Sequence, residues 1–286
     1  MTRSVTSMRA GCGHTLALTT TGQVLAWGYN GDGELGDTTT TSSLSPVKVR
    51  LSRGTRVKAI RAGCFHSLAL TTKGHVLAWG RGSQGQLGDG STGSAAFPVR
   101  VTLPPGTKVK AISAGSDHNL AITTTGRLYA WGYNHDGELG DGSTTSSATP
   151  VRVKLPPGTK VTLVGAGEGH SLARTSAGKV LAWGSGGAGA LGNGTTASSD
   201  IPVRVKLPSG TKVTAIAAGC SHNLALTAKG HVLAWGYNAD GELGNGSTIN
   251  ANLPVRVQLP AGLVAIGIAA GPEADHSLAI VRQARR

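Results

Sequence analysis

The strongest constraint on this chain is a period of 52 residues. His14, His66, His118, His170 and His222 stand 52 apart, and His276 follows after 54. Trp27, Trp79, Trp131, Trp183 and Trp235 keep the same spacing, each inside an Ala-Trp-Gly triplet. Pro46, Pro98, Pro150, Pro202 and Pro254 do likewise, opening Pro-Val-Lys-Val or Pro-Val-Arg-Val segments. Five cycles without an insertion or deletion describe a structural unit copied along the chain, and a period of this length belongs to propellers, solenoids or arrays.

Each cycle holds four short segments of β character bounded by Gly, Pro, Ser, Thr or Asn. In the third they are VKAISAG, HNLAITT, RLYAWG and PVRVKL, here named a, b, c and d. In segment b, His118, Leu120 and Ile122 face one way, and Asn119, Ala121 and Thr123 the other, as a strand requires. No segment shows helical spacing over the length a helix needs. The 44 glycines and a charged fraction of only 14% suit short strands joined by tight turns. Four strands per repeat set around an axis form a β-propeller, which protects sheet edges by radial repetition. A solenoid is the rival, but its coils are shorter, and this repeat holds a full sheet.

Complete sets begin near residues 4, 56, 108, 160 and 212. A partial set starts at 263, with LVAIGIAAG and HSLAIV as its a and b, and the sequence ends at VRQARR. The expectation is an all-β, single-domain propeller over residues 1–286 with six blade positions, five of them four-stranded and the last a two-stranded half blade. The alternative is a five-bladed ring in which the N-terminal and C-terminal a–b pairs compete to complete one blade.

The motifs AGxxHxLALT, GxVLAWGxNxxGELG and PVRV, taken together, resemble the regulator of chromosome condensation repeat family across essentially the whole chain. The resemblance implies a β-propeller, usually seven-bladed, with a as the innermost strand. Members include a chromatin-bound nucleotide exchange factor, plant ultraviolet photoreceptors, ubiquitin-ligase subunits and a bacterial β-lactamase inhibitor. Such a range implies the fold more sharply than the function. The exchange activity depends on a wedge-like insertion, and the constant Gly28-to-Pro46 spacing leaves no room for one. The photoreceptor chemistry needs clustered interface tryptophans, whereas the five here are the repeated Ala-Trp-Gly ones.

Charge follows the repeat. In an up-and-down blade the a–b and c–d loops lie at one end, and the b–c and d–a loops at the other. All 14 acidic residues fall in or beside a–b or c–d loops. The c–d loops of cycles one, three and five read YNGDGELG, YNHDGELG and YNADGELG, so they offer Tyr29, Asp32 and Glu34, then Tyr133, Asp136 and Glu138, then Tyr237, Asp240 and Glu242. Exposed aromatics anchor interfaces, and these nine residues form the expected protein-binding set. The plainer reading is that NxxGxLG is a structural turn whose base the Tyr covers.

Basic residues avoid those loops, Arg81 excepted. Lys73, Lys179 and Lys229 occupy b–c loops, Lys108, Lys160 and Lys212 occupy d–a loops, and others line segment d. These six lysines, with a formal net charge of +13, make polyanion binding, to nucleic acid or cell-wall polymer, the alternative partner class. Lys and Arg on outer strands also discourage sheet-to-sheet aggregation, and the basic end lacks the aromatics that nucleic-acid binders use for stacking.

No catalytic constellation breaks the regularity. GTK in LPPGTKV lacks the upstream Gly and following Ser or Thr of a P-loop, no G-x-S-x-G elbow occurs, and N-x-D-G-E offers too few ordered oxygens for a calcium loop. The reading is a non-enzyme with no cofactor or metal. Each repeated His is expected to bond backbone in its own blade, and Arg174, replacing an apolar b residue, reads as repeat degeneration. Cys12, Cys64 and Cys220 occupy equivalent positions after Ala-Gly. Their odd number argues against a paired framework, and they read as small half-buried residues. Together with a start, MTRSVTSMRAG, that lacks an apolar h-region, this favours the cytoplasm. No run spans a membrane. The half blade offers an unpaired edge for homo-oligomerisation.

Overall fold

The computed structural model describes residues 4–284. The first sheet comprises β1 (Val5–Ala10), β2 (His14–Thr19), β3 (Val24–Gly28) and β4 (Ser43–Lys48). The second holds β5 (Val57–Ala62), β6 (His66–Thr71), β7 (Val76–Gly80) and β8 (Ala95–Arg100). The third holds β9 (Val109–Ala114), β10 (His118–Thr123), β11 (Leu128–Gly132) and β12 (Ser147–Arg152). The fourth holds β13 (Val161–Ala166), β14 (His170–Thr175), β15 (Val180–Gly184) and β16 (Ser199–Arg204), with a 3₁₀ turn at Gly187–Gly189. The fifth holds β17 (Val213–Ala218), β18 (His222–Thr227), β19 (Val232–Gly236) and β20 (Ala251–Arg256). The last pairs β21 (Leu263–Ala269) with β22 (Leu278–Gln283).

In every sheet the strands lie in chain order and antiparallel, so a, b, c and d are spatial neighbours in turn. This is the five-plus-half arrangement of a β-propeller. β1 sits in a complete four-stranded sheet while β21 and β22 form a sheet of their own, so the N-terminal and C-terminal a–b pairs do not share a sheet. Among the described residues no helix is long and apolar enough to cross a membrane.

Local chemistry explains the hairpins. At the first b–c turn Thr19 N–H bonds Gln23 O at 2.9 Å, and Gly22 N–H bonds Thr19 O at 2.9 Å with Gly22 at φ +77°. A left-handed residue is what such a loop needs, and Gly supplies it without steric cost.

The chain forms two compact units. One contains residues up to Asn134 with Thr145–Arg152, the other His135–Thr144 with residues from Val153 onward. In the first unit, sheets one to three pack in succession through clusters such as Leu16, Val24, Leu35, Ile60 and Trp79. In the second, sheets four to six do the same through Leu172, Val180, Leu191, Val213 and Trp235. From the second sheet onward each c-strand indole seats on the c–d loop of the preceding repeat and donates to its backbone. Trp79 Nε1 lies 2.7 Å from Glu34 O, Trp131 Nε1 3.0 Å from Gln86 O, Trp183 Nε1 2.7 Å from Glu138 O, and Trp235 Nε1 3.0 Å from Ala190 O. An aromatic side chain removing 150–250 Å² from water contributes at most about 4–6 kcal/mol, so these indoles dominate the inter-sheet energetics.

Candidate protein-interaction surface

The c–d loop is built around its Asn. Asn30 accepts from Leu35 N–H at 2.8 Å and donates to Thr39 O and Thr41 O, each at 3.0 Å. Asn238 repeats the pattern with Leu243, Ser247 and Ile249. The glutamate four residues further on folds inward. Glu34 Oε2 accepts from Asp32 N–H at 3.0 Å, Glu138 Oε2 from Asp136 N–H at 3.0 Å, and Glu242 Oε2 from Asp240 N–H at 3.1 Å.

Glu34 and Glu138 are 0% exposed and Glu242 5%. The three glutamates of the expected binding set are therefore structural residues, spent on bracing their own turn. Their Oε1 atoms are buried without a hydrogen-bond partner. Burial pushes the Glu138 carboxyl up to about 7 against the backbone N–H bonds that pull it down, and burial raises Glu34 in the same way. Gln86 fills the equivalent place in the second repeat without a charge, bonding Gln84 N–H at 2.8 Å and donating to Asp117 Oδ1 at 2.8 Å.

What these loops offer to solvent is the remainder of the set. Tyr29 is 48% and Tyr237 36% exposed, Tyr133 and Asp32 are half-buried, and Asp136 and Asp240 are exposed. Two residues outside the expected binding set join Tyr29. Phe65, in the a–b loop of the second sheet, meets the Tyr29 ring edge-on at 6.3 Å between centroids. The Arg81 guanidinium lies 5.7 Å from the Phe65 centroid. Arg81 stands out in sequence only as the basic exception among these loops, and the neighbouring of successive a–b and c–d loops is what reveals the cluster. The outer strands also expose Phe97, Ile201 and Leu253 beside their basic residues.

His14, His66, His170 and His222, expected to bond backbone within their own blades, instead reach a side chain of the next sheet. His14 Nε2 lies 2.9 Å from Ser67 Oγ, His66 Nε2 2.7 Å from Asn119 Oδ1, His170 Nε2 2.7 Å from Asn223 Oδ1, and His222 Nε2 2.9 Å from Ser277 Oγ. Ser67 Oγ donates onward to Glu34 O at 3.0 Å, and Asn119 Nδ2 to Gln86 O at 2.9 Å. With the donor of each partner already spent, the imidazole Nε2 carries the proton, which assigns the neutral tautomer. Burial lowers the pKa of His14 and of His170 to about 4. The rings thus act as clasps between sheets. Arg174 has a partner-specific role too, donating to Val213 O at 2.6 Å and to Thr162 Oγ1 at 2.9 Å.

Equivalent a–b loops adjoin. Cys12 N–H bonds Cys64 O at 3.1 Å, and Cys64 N–H bonds Ser116 O at 3.2 Å. That neighbourhood brings Cys12 and Cys64 to 4.6 Å between Cα atoms, where they form a disulfide. The reading of unpaired cysteines is corrected here, and with it goes the cysteine argument for a reducing compartment. Cys220 is free, donates to Glu168 Oε2 at 2.9 Å, and has its thiol pushed up to about 12, by burial first and by that bond second.

At the other end of each sheet, Lys73, Lys108, Lys160, Lys179, Lys212 and Lys229 are all exposed. The b–c and d–a loops are tied together there, Thr124 N–H to Lys108 O and Ser176 N–H to Lys160 O, each at 2.8 Å. His75 is lowered by desolvation and then by Arg100, Lys73 and Lys108, which records the cations gathered around it.

Repeated four-stranded sheets, joined to their neighbours by His and Trp hydrogen bonds, define a β-propeller. The RCC1-like domain family matches residues 1–279, and the chain belongs to that family. It is 32% identical over 280 residues to the ultraviolet-B receptor UVR8 of Arabidopsis thaliana, covering 98% of this chain and 63% of the receptor. It is 34% identical over 275 residues to the human E3 ubiquitin-protein ligase HERC2, covering 96% of this chain but 6% of the ligase. Among solved structures, human WBSCR16 matches with a TM-score of 0.88 at 26% identity, over 98% of this chain and 73% of that one. Yeast RCC1 (Prp20), in its structure with Kap60, matches with a TM-score of 0.83 at 25% identity, over 95% and 65%.

Proposed function

We propose that this chain is a non-catalytic scaffold that binds protein partners through the a–b and c–d loop end of its sheets. The observation that carries this is the Tyr29–Phe65–Arg81 cluster, since aromatic residues and Arg are the types that dominate interface energetics. Tyr133 and Tyr237, with Asp32, Asp136 and Asp240, extend the same loop chemistry along the repeat. The structure of yeast RCC1 bound to Kap60 supports the reading by family. The test compares proteins retained by the immobilised chain with those retained by a Phe65→Ala/Arg81→Ala variant, quantified at low and moderate salt. A partner that resists salt and is lost with the variant supports the reading. An unchanged set of retained proteins sinks it.

A second reading is polyanion binding through Lys73, Lys108, Lys160, Lys179, Lys212 and Lys229, and their shared exposure at one end of the sheets favours it. Binding to heparin or duplex DNA should then weaken steeply with salt. Lys73→Glu/Lys108→Glu should reduce that slope, and binding insensitive to both would remove this alternative.

A further inference from the structure

Within the first unit, β1 adjoins β5 and β5 adjoins β9, and the charges on these three a strands are all of one sign. They read VTSMRA, VKAIRA and VKAISA, with Arg9, Lys58, Arg61 and Lys110 as cations and no acid. The a strands of the other sheets, VTLVGA, VTAIAA and LVAIGIA, carry no charge at all. Lys58 and Lys110 fall where the strand register shifts, and both are exposed. Arg9 and Arg61 instead hold regularly paired positions.

The two arginines are equivalent residues one period apart. Arg9 lies opposite Leu16 and Arg61 opposite Leu68 on their b strands, and cross-strand partners share a face. Leu16 packs with Ile60 and Ala62 of the second sheet, and Leu68 with Ile112 and Ala114 of the third. Each arginine therefore stands on the face of its sheet that is turned toward the next a strand. Three residues further on, Cys12 and Cys64 lie 4.6 Å apart at Cα, which holds β1 and β5 side by side. The same position in later sheets is Ser113, Gly165, Ala217 or Ala269. The repeat itself needs no charge there.

Neither guanidinium has a carboxylate to balance it. Arg9 Nη1 donates to Met8 O at 2.6 Å and Arg61 Nη1 to Ile60 O at 2.8 Å, and among the described residues neither forms an ion pair. Burial first, and then the Arg9 charge, lower the half-buried Arg61 to about 10. Like charges held together without a counter-charge repel, and removal from water strengthens the repulsion. Each side chain has committed one N–H to its own backbone, and the rest of its fork is open to a ligand.

We propose that Arg9 and Arg61 form a binding site for a small doubly charged oxyanion, a phosphate ion or the phosphoryl group of a small molecule. A phosphate dianion neutralises both guanidiniums, and its oxygens accept paired N–H bonds from each planar fork. A lone carboxylate would neutralise one. The site is distinct from the exposed lysines of the b–c and d–a loops. Arg9 and Arg61 are the next-to-last residues of β1 and β5, at the a–b loop end, and those lysines lie at the other.

The probes are inorganic phosphate and phenyl phosphate, titrated by calorimetry into the full chain at constant ionic strength, with acetate as the control. The expected result is saturable one-to-one binding that weakens about tenfold or more in Arg61→Ser and in Arg9→Ser. It should be unchanged in Lys73→Glu/Lys108→Glu. Ser113 shows that the position accepts serine, so the variants keep the fold. Without phosphate, the urea midpoint of Arg61→Ser should be no lower than that of the parent, and phosphate should raise the midpoint of the parent alone. Tighter binding of phenyl phosphate would identify a linked phosphoryl group, and tighter binding of inorganic phosphate the free ion. The proposal is overturned by absent binding, or by binding lost with the lysines rather than the arginines. Equal binding of acetate overturns it as well, and would make an acidic peptide the ligand. A midpoint that falls in Arg61→Ser while phosphate still stabilises that variant would make Arg61 a structural residue and sink the site.

Discussion

Nε2 of His66 lies 2.7 Å from Oδ1 of Asn119, one repeat and one residue along the chain, and the pair joins two neighbouring sheets across a fully buried interface. Asn119 spends its amide on Gln86 O at 2.9 Å, the carbonyl that also holds the Trp131 indole at 3.0 Å. One position therefore serves the His, the loop and the Trp.

Removing Asn119 should show how much that junction contributes. Asn119→Leu keeps the volume but leaves the His66 N–H buried and unpaired, a defect of about 1–3 kcal/mol. Asn119→Ser should cost less, because Ser67 and Ser277 perform the same duty toward His14 and His222. Urea midpoints measure both. Equal losses for the two variants would mean that packing, not the bond, sets the cost.

The buried histidines and glutamates pull stability in opposite directions with pH. His14 and His170 have folded pKa values near 4, below the ordinary 6.5. Their stabilisation is complete above pH 6.5 and is lost as pH falls toward 4, because the unfolded chain takes up the proton first; the upper figure is about 3 kcal/mol for each. Glu138 is raised from 4.5 to about 7. Its contribution is complete below pH 4.5 and is lost as pH rises through 7, on the order of 1–3 kcal/mol. Between pH 4.5 and 6.5 the two histidines outweigh the one glutamate, so stability should rise through that range and peak at about pH 6.5. Glu138→Gln, the amide that Gln86 shows the site accepts, should flatten the decline above about pH 6.5, steepen the rise between about 4.5 and 6.5, and leave the slope below 4.5 unchanged. A decline above pH 7 that persists in this variant would acquit Glu138.

The three cysteines should behave differently. The Cys12–Cys64 bridge spans 52 residues, and closing a loop of that length stabilises by about 2–4 kcal/mol, so reduction or Cys12→Ser should cost that much. Cys220, with its thiol near 12, should alkylate far more slowly at pH 8 than a free thiol of ordinary pKa, because only the thiolate reacts. Glu168→Gln should accelerate it. Mass after iodoacetamide treatment, with and without reductant, reports both outcomes; two fast-labelling thiols before reduction would contradict the bridge.

Legibility in the sequence divided along one line. Contacts within a sheet were open to reading, because alternation in HNLAIT and the turn residues around it state strand, face and ends locally. Contacts between sheets were not, because they join residues one period apart and no local pattern reports them. Thus His66 was paired with its own sheet rather than with Asn119. The cysteines were counted as odd and unpaired although equivalent positions of successive repeats are neighbours. Glu34, Glu138 and Glu242 looked like surface charge in G-E-L-G, yet a turn tied by Asn30 and capped by the next indole turns them inward. Phe65 escaped notice for the same reason: its significance lies in Tyr29 of the preceding repeat.

Two glycines in one loop type separate backbone strain from inter-sheet contact. Gly137 and Gly241 are equivalent, with φ of +89° and +85°. An alanine at either pays for the left-handed conformation, about 1–2 kcal/mol. At Gly137 the new Cβ would also run into the Cα of Asp200 on the outer strand of the next sheet, whereas at Gly241 nothing lies within 4 Å. Gly137→Ala should therefore exceed Gly241→Ala by at least about 1–2 kcal/mol in chemical denaturation, the cost of moving backbone in a packed interface. Equal penalties would mean that conformation alone explains the glycine.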